Sequence, residues 1–354
     1  MSRNTKLKQL AAACALGAAT SLAAVQANAG ELSLLTWVSY ADESFTADWQ
    51  EATGCELKPT LVGSNDEIIA KIAAGDRYDL VSPSVDTTTI LWKLGKIAPI
   101  DTGKLEHFQN LYENLQNNPG ITLEDGTVIA QPNAWGSIPM MYRTDKVDEE
   151  LDSIAVIFDE KYAGRISLWD DKSNIYPVAR YLFGTDVNVF DLSDEQLAEV
   201  QQKLIEQKKL LRTYWSQAGE HLNLAANGEI WISNTWGGYQ VAELQAKGIP
   251  MVEYLPKELA DGWMDGWQIT TDAQDMECVY QWLNFAASPE GQCGMSLFSG
   301  FSAASPLVES CMSEEEFTGR HQHQPEYIDN LVLWREPARP AKMIEVWNAV
   351  KAAE

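Results

Sequence analysis

The hexapeptide Gly262-Trp263-Met264-Asp265-Gly266-Trp267 sets a carboxylate between two indoles, with glycines flanking the Trp-Met-Asp triplet. On an extended segment residues two apart face the same way, so Trp263 and Asp265 share a surface. An indole face beside a carboxylate suits an organic cation. The ring quadrupole attracts the charge and the carboxylate accepts N–H hydrogen bonds. The competing reading is a half-buried strand whose tryptophans pack a core while Asp265 caps a turn. This segment taken alone favours the competing reading; the rest of the chain reverses that preference.

Covalent chemistry has no comparable footing. The sequence contains no nucleophile elbow, no His-Glu-x-x-His pair, no phosphate-binding glycine loop and no calcium loop. His321-Gln322-His323 could ligate a metal, but two histidines in a polar stretch are more often solvated. The pair Asp170-Asp171 and the run Glu314 to Glu316 read as exposed acids. The expectation is a protein that is not an enzyme and needs no cofactor or metal.

Composition narrows the partners. The 354 residues carry a formal charge of -25. A chain this acidic is not expected to bind nucleic acid by neutralising phosphates, and its field favours cations. Residues 1–29 read as a secretory signal: Arg3, Lys6 and Lys8, then an Ala/Leu-rich run, then Ala27-Asn28-Ala29 before Gly30. Cys14 lies inside that run. Lipidation there is the poorer match, because Ala11-Ala12-Ala13 is an unusual lipoprotein lead-in and a good Ala-x-Ala site lies downstream. Loss of the signal makes the charge three units more negative and leaves an exported, soluble chain of two-domain size. Its four cysteines, Cys55, Cys278, Cys293 and Cys311, fit no zinc spacing and suit an oxidising compartment. Three full pairings are open. The preferred bridge is Cys278–Cys311, which would staple a helix start to a later loop.

The elements that must position these groups follow a strand–helix alternation. Strands are expected at 32–37, 55–62 and 78–81, with helices from Asp42, from the Ser64-Asn65-Asp66-Glu67 capping box, and from near Asp86. Short joints between them imply a parallel α/β sheet covered on both sides. Ligands sit beyond the carboxyl ends of such strands, where Trp37-Val38-Ser39-Tyr40 and Ser84-Val85-Asp86 fall. Later strands are expected at 128–134, 138–142, 166–169, 229–235 and 252–255, and helices from Ser193, Met276, Pro289 and Ala341.

Several of these segments carry a family likeness: Trp37-Val38-Ser39-Tyr40, Gly63-Ser64-Asn65-Asp66-Glu67, Tyr78 to Ser84, Trp135-Gly136, Tyr162 to Leu168, Trp263-Met264-Asp265, and Trp282 to Phe285 closed by Ser288-Pro289-Glu290. In that order they resemble the periplasmic spermidine/putrescine-binding proteins of ABC importers. The resemblance implies a type II periplasmic binding protein fold: two α/β lobes with the ligand cleft between them. Residues 30–136 and 266–307 would form the N-terminal lobe, and 137–265 and 308–354 the C-terminal lobe, with crossings near Gly136, Gly266 and Pro306. It also implies a periplasmic monomer that captures a polyamine such as putrescine or spermidine and delivers it to an inner-membrane permease.

Carried over by position, Trp37, Tyr40, Trp236 and Trp263 form the aromatic box and Asp265 is the central amine anchor. Asp171 is a second anchor from the other lobe, and Ser84 and Ser216 give hydrogen bonds. Phe301 stands where the family often has a tyrosine. Three departures weigh on the ligand. Ser39 and Asn174 replace acids, and Asp86 supplies a carboxylate where an aromatic or small residue is usual. They open the alternative of a shorter amine or a zwitterion such as an amino acid or aminophosphonate, with Arg335 as the candidate partner for its carboxylate.

Overall fold

The first lobe is built on parallel pairing. In the computed structural model, which describes residues 30–322, 327 and 331–353, β1 (Gly30–Thr36) lies between β2 (Cys55–Leu61) and β3 (Leu80–Val81), parallel to both. The expected signal segment and His323 fall outside the described residues. β1 is apolar at Leu32, Leu34 and Leu35, all fully buried, as a strand covered on both faces requires. The joining helices begin and end on local signals. Asp42 caps α1 (Glu43–Thr53) by accepting from the Ser44 amide, and Gly54 ends it at φ 73. Ser64 caps α2 (Asn65–Ala74) through the Glu67 amide, while Glu67 reaches back to the Gly63 amide at 3.0 Å. α3 (Val85–Lys93) opens after Ser84.

The same sheet continues through β4 (Ile97–Ala98) and β5 (Gln131–Ile138). Pro139 alone separates β5 from β6 (Met140–Arg143), which belongs to a second sheet. That sheet has the order β10-β6-β9-β7-β8, with β7 Ile166–Trp169, β8 Leu211–Trp215, β9 Ile232–Asn234 and β10 Met251–Tyr254. The chain then returns as β11 (Asp261–Thr270) to the first sheet. There the order is β12-β5-β11-β3-β1-β2, with β12 at Ser302–Ala303; β4 and β13 (Val332–Leu333) also pair with β11. Two sheets make two lobes, joined by the β5–β6 and β10–β11 passages. The breaks expected at 136/137 and 265/266 fall inside β5 and β11. These two strands pair antiparallel from Asp261↔Ile138 to Trp267↔Gln131.

The lobes are closed on each other. The Trp169 indole Nε1 donates to the Gly63 carbonyl at 2.9 Å, and Lys172 pairs with Asp66 at 2.8 Å. Gly63 has no room for a side chain, since an added Cβ would lie 2.0 Å from the Ser216 carbonyl oxygen. A buried ion pair, Arg180 to Asp261 at 2.9 Å, ties the helix Ile175–Phe183 to the start of β11.

The expected Cys278–Cys311 bridge does not form. Cys55 pairs with Cys278 and Cys293 with Cys311, with Cα–Cα separations of 5.8 and 6.3 Å. The physical reason is tertiary. β2 starts beside the first turn of the helix Met276–Ala287, so Cys278 meets Cys55 across 223 residues. Among the described residues no helix is long and apolar enough to cross a membrane, and no cluster could hold a metal ion.

Candidate ligand pocket between the lobes

β11 runs through the middle of the first sheet, and all ten of its residues are buried. Its pleat sends Trp263 and Asp265 to one side, into the crevice between the lobes. A register shift between Asp265 and Gly266 ends that alternation. Trp267 therefore packs into the first lobe's core, edge-on to Trp282 at 5.3 Å, and stays out of the crevice. Gly136 lies opposite Trp263, and a Cβ there would come within 2.7 Å of the indole Cζ2. The absence of that carbon lets the ring lie flat over β5.

Asp265 is held by both strand ends that the sequence singles out. Its Oδ2 accepts from the Tyr40 hydroxyl at 2.7 Å, and its Oδ1 from the Ser84 hydroxyl at 2.6 Å. Tyr40 follows β1; Ser84 follows β3. Burial pushes the Asp265 carboxyl up to about 7, opposed by these two hydrogen bonds and reinforced by the nearby charge of Asp86. The carboxylate is thus oriented and costly to leave without a counter-charge.

Rings from both lobes surround it. Trp37, Tyr40, Trp263 and Phe301 come from the first sheet and its loops, and Trp169 and Trp236 from strand ends of the second. Trp37, Trp169 and Trp236 meet edge to face, with centroids 5.6 to 6.4 Å apart. Trp263 meets Phe301 the same way at 5.0 Å. Three indole N–H groups are turned to backbone: Trp37 to the Ser82 carbonyl at 2.8 Å, Trp169 to Gly63, and Trp263 to the Trp236 carbonyl at 2.9 Å. The pocket these rings share with Ser84, Asp265, Ile138 and Trp334 has a volume of about 30 Å³, room for one compact group. Asp265 is its one lining carboxylate, and no lysine, arginine or histidine lines it among the described residues. An ammonium enclosed there meets ring faces and one oriented anion.

Residues 20–292 match the family described as bacterial extracellular solute-binding protein. The chain belongs to this family. It is a solute-binding transport protein and not an enzyme; such proteins bind small ligands outside the cytoplasm and work with membrane permeases. It is 28% identical over 287 residues to the spermidine/putrescine-binding periplasmic protein of Escherichia coli (strain K12), covering 80% of each chain. A solved structure of a putative spermidine/putrescine ABC transporter from Listeria monocytogenes superposes with a TM-score of 0.80 at 18% identity, covering 92% of this chain and 100% of that one. A solved GABA receptor superposes with a TM-score of 0.71 at 16% identity, covering 92% and 98%. Both likenesses show the type II binding-protein fold.

Of the residues expected in this solute-binding protein's site, Trp37, Tyr40, Ser84, Trp236, Trp263, Asp265 and Phe301 come together in the pocket. Six others do not line it. Ser39 adopts φ 79, in the left-handed region, just before Tyr40, and its own hydroxyl is buried without a partner among the described residues. Asp171 caps the following turn by accepting from the Ser173 amide at 2.8 Å, and Asp86 is buried in the first turn of α3. Asn174 donates to the Trp169 carbonyl at 2.6 Å, so it fixes the strand end that presents Trp169. Ser216 is exposed and bonds Glu220. Arg335 is exposed, donates to Asn188 at 3.1 Å and stacks over Phe190, which leaves it outside the cleft as a carboxylate partner. Trp169, Trp334 and Ile138 are pocket residues that the sequence reading missed. Trp334 directly precedes the exposed Arg335, and Trp169 directly precedes Asp170-Asp171; in each case the ring and not the neighbouring charge lines the pocket, although Asp171, expected to be exposed, is buried.

Proposed function

We propose that this protein is the periplasmic capture component of an ABC importer, taking up a small organic amine as its cation by closure of the two lobes. The observation that carries this reading is Asp265: one buried, doubly hydrogen-bonded carboxylate inside a wall of aromatic rings that includes no basic residue among the described residues. The amine-binding names of relatives such as the Escherichia coli protein support the same chemistry. The receptor acts as a monomer, its signal segment is cleaved after Ala29, and the closed form is what the permease reads. Asp86, Asp171, Ser39, Asn174 and Ser216 act around the pocket, not at the guest's nitrogen.

A second reading is a zwitterion such as an ω-amino acid. It is favoured by two indole N–H donors in the pocket wall, Trp236 Nε1 and Trp334 Nε1, which are buried and have no acceptor among the described residues. A guest carboxylate would accept from them. Thermal shift with panels of amines, amino acids and sugars tests both. Amines that raise the melting temperature support the first reading, since a ligand that binds the folded state stabilises it. A response to sugars and not to amines would overturn it.

A further inference from the structure

Phe301 is shared by two cavities. The pocket around Asp265 holds about 30 Å³; the other, lined also by Trp135, Glu253, Tyr254 and Tyr327, holds about 290 Å³. Both lobes supply its walls: Trp135 belongs to β5 of the first sheet, Glu253 and Tyr254 to β10 of the second. The small pocket encloses a head group, so the chain that carries that group needs space elsewhere, and the larger cavity approaches the size of a ligand site. Glu253 repeats the arrangement at Asp265. Its Oε1 accepts from the Thr235 hydroxyl at 2.6 Å, and its Oε2 from the Gly238 amide at 3.2 Å. Burial raises its carboxyl, opposed by these two bonds, and no cation acts on it among the described residues. Two basic side chains line the same cavity, and both are engaged elsewhere. Arg320 donates to the Ser296 and Glu316 carbonyls at 3.2 and 3.1 Å, and His321 stacks on Tyr327 with centroids 3.7 Å apart.

The two carboxylates are linked through the loop after β9. Thr235, held by Glu253, directly precedes Trp236, whose ring lines the small pocket. The Trp236 carbonyl accepts from Trp263 Nε1 at 2.9 Å, and the same N–H lies 3.1 Å from the carbonyl of Ser137, which lines the larger cavity. Trp263 and Phe301 thus form the partition between the two spaces. A guest with one ammonium on Asp265 would carry its chain beside Phe301 towards Glu253. Asp171, the second anchor that the family resemblance implies, lines neither cavity.

We propose that Glu253 is a second ammonium anchor, so that the guest is a diamine or longer polyamine that spans Asp265 and Glu253 past Phe301. The inference rests on the amine reading above and specifies where the second charge of such a guest is held. Each carboxylate is oriented by two donors before the guest arrives, which lowers the ordering cost of binding. Each then accepts charge-assisted hydrogen bonds from one end of the guest. The rings of Trp135, Tyr254 and Phe301 face the larger cavity, where their quadrupoles favour a cation.

The test is titration calorimetry with aliphatic diamines from 1,4-diaminobutane to 1,8-diaminooctane, each against the monoamine of equal chain length. The wild-type protein is expected to bind at least one diamine at least about tenfold tighter than its matched monoamine. Glu253→Gln keeps the side chain's shape and an acceptor for Thr235. It is expected to weaken that diamine at least about tenfold and the monoamine less than about twofold. Equal losses for both guests would mean that Glu253 acts only by holding the Trp236 loop, and would overturn the inference, as would an unchanged diamine affinity. Should Glu253→Gln fail to fold, Gly319→Leu decides: Gly319 lines the larger cavity, and an added Cβ there meets nothing within 4 Å. It too should weaken the diamine and spare the monoamine; an unchanged diamine affinity overturns the inference. A wild-type protein that binds no diamine tighter than its monoamine also overturns it and leaves the amine reading standing. No binding by any amine overturns the amine reading itself, and this inference with it.

Discussion

The Tyr40 hydroxyl donates to Asp265 Oδ2 at 2.7 Å, joining the end of the first strand to the strand that crosses between the lobes, 225 residues away. With Ser84 on the other oxygen, the carboxylate is fixed before any guest arrives. Such preorganisation lowers the ordering cost of binding. Asp265→Asn keeps the shape and removes the charge. Amine affinity measured by calorimetry should fall at least about tenfold, a step of about 1.4 kcal/mol. An unchanged affinity would take Asp265 out of the site.

The raised Asp265 carboxyl, at about 7, makes binding pH-dependent in a definite direction. A cation binds the ionised form, so protons compete with it below about 7 and affinity should rise with pH through that point before levelling off. Asp86, itself pushed up to about 6 by burial, acts in the same direction; Tyr40 and Ser84 oppose it. Binding at pH 7 should therefore release a fraction of a proton, which calorimetry in buffers of different ionisation enthalpy detects. The sign reverses for stability without ligand. The folded protein holds this proton more tightly than the unfolded chain, so stability should decline as pH rises from about 4 to about 7. Asp265→Asn should remove part of that decline.

The two disulfides close loops of very different length, 223 and 18 residues. In the chain-entropy account the longer loop restrains the unfolded state more, about 5 against about 3 kcal/mol. Cys55→Ser with Cys278→Ser should lower the melting temperature further than Cys293→Ser with Cys311→Ser. Equal losses by scanning calorimetry would place the stabilisation in local packing.

Local signals account for what was legible in the sequence. Asp42, Ser64 and Ser193 each cap the helix expected after them, because a cap depends on residues two or three apart. Trp263 and Asp265 share a face because strand alternation is also local. The disulfide pairing was not legible: it depends on how β2 packs against a helix late in the chain. Nor was the register shift at 265/266, which sends Trp267 to a face that simple alternation denies it. Trp334 and Arg335 show the same sensitivity. One residue of offset decides which side chain faces inward, and the sequence reading chose the charge where the fold turned the ring.

Closure itself can be tested at Gly63, which is exposed to a clash only when the lobes meet. Its carbonyl accepts from Trp169 Nε1 at 2.9 Å, and a Cβ on it would lie 2.0 Å from the Ser216 carbonyl and 2.5 Å from Gln217 Nε2, both in the opposite lobe. The backbone atom cannot yield as a flexible side chain could. Gly63→Ala should leave each lobe folded, with an unchanged circular dichroism spectrum, yet hold the lobes apart. Two consequences follow from one added methyl group. Small-angle scattering with ligand should give a larger radius of gyration than the wild type with ligand, and affinity should drop at least about tenfold because Trp169 and Trp236 no longer reach the guest held at Asp265. A Gly63→Ala protein that binds and compacts like the wild type would mean that the pocket takes its guest without bringing these two lobe surfaces together.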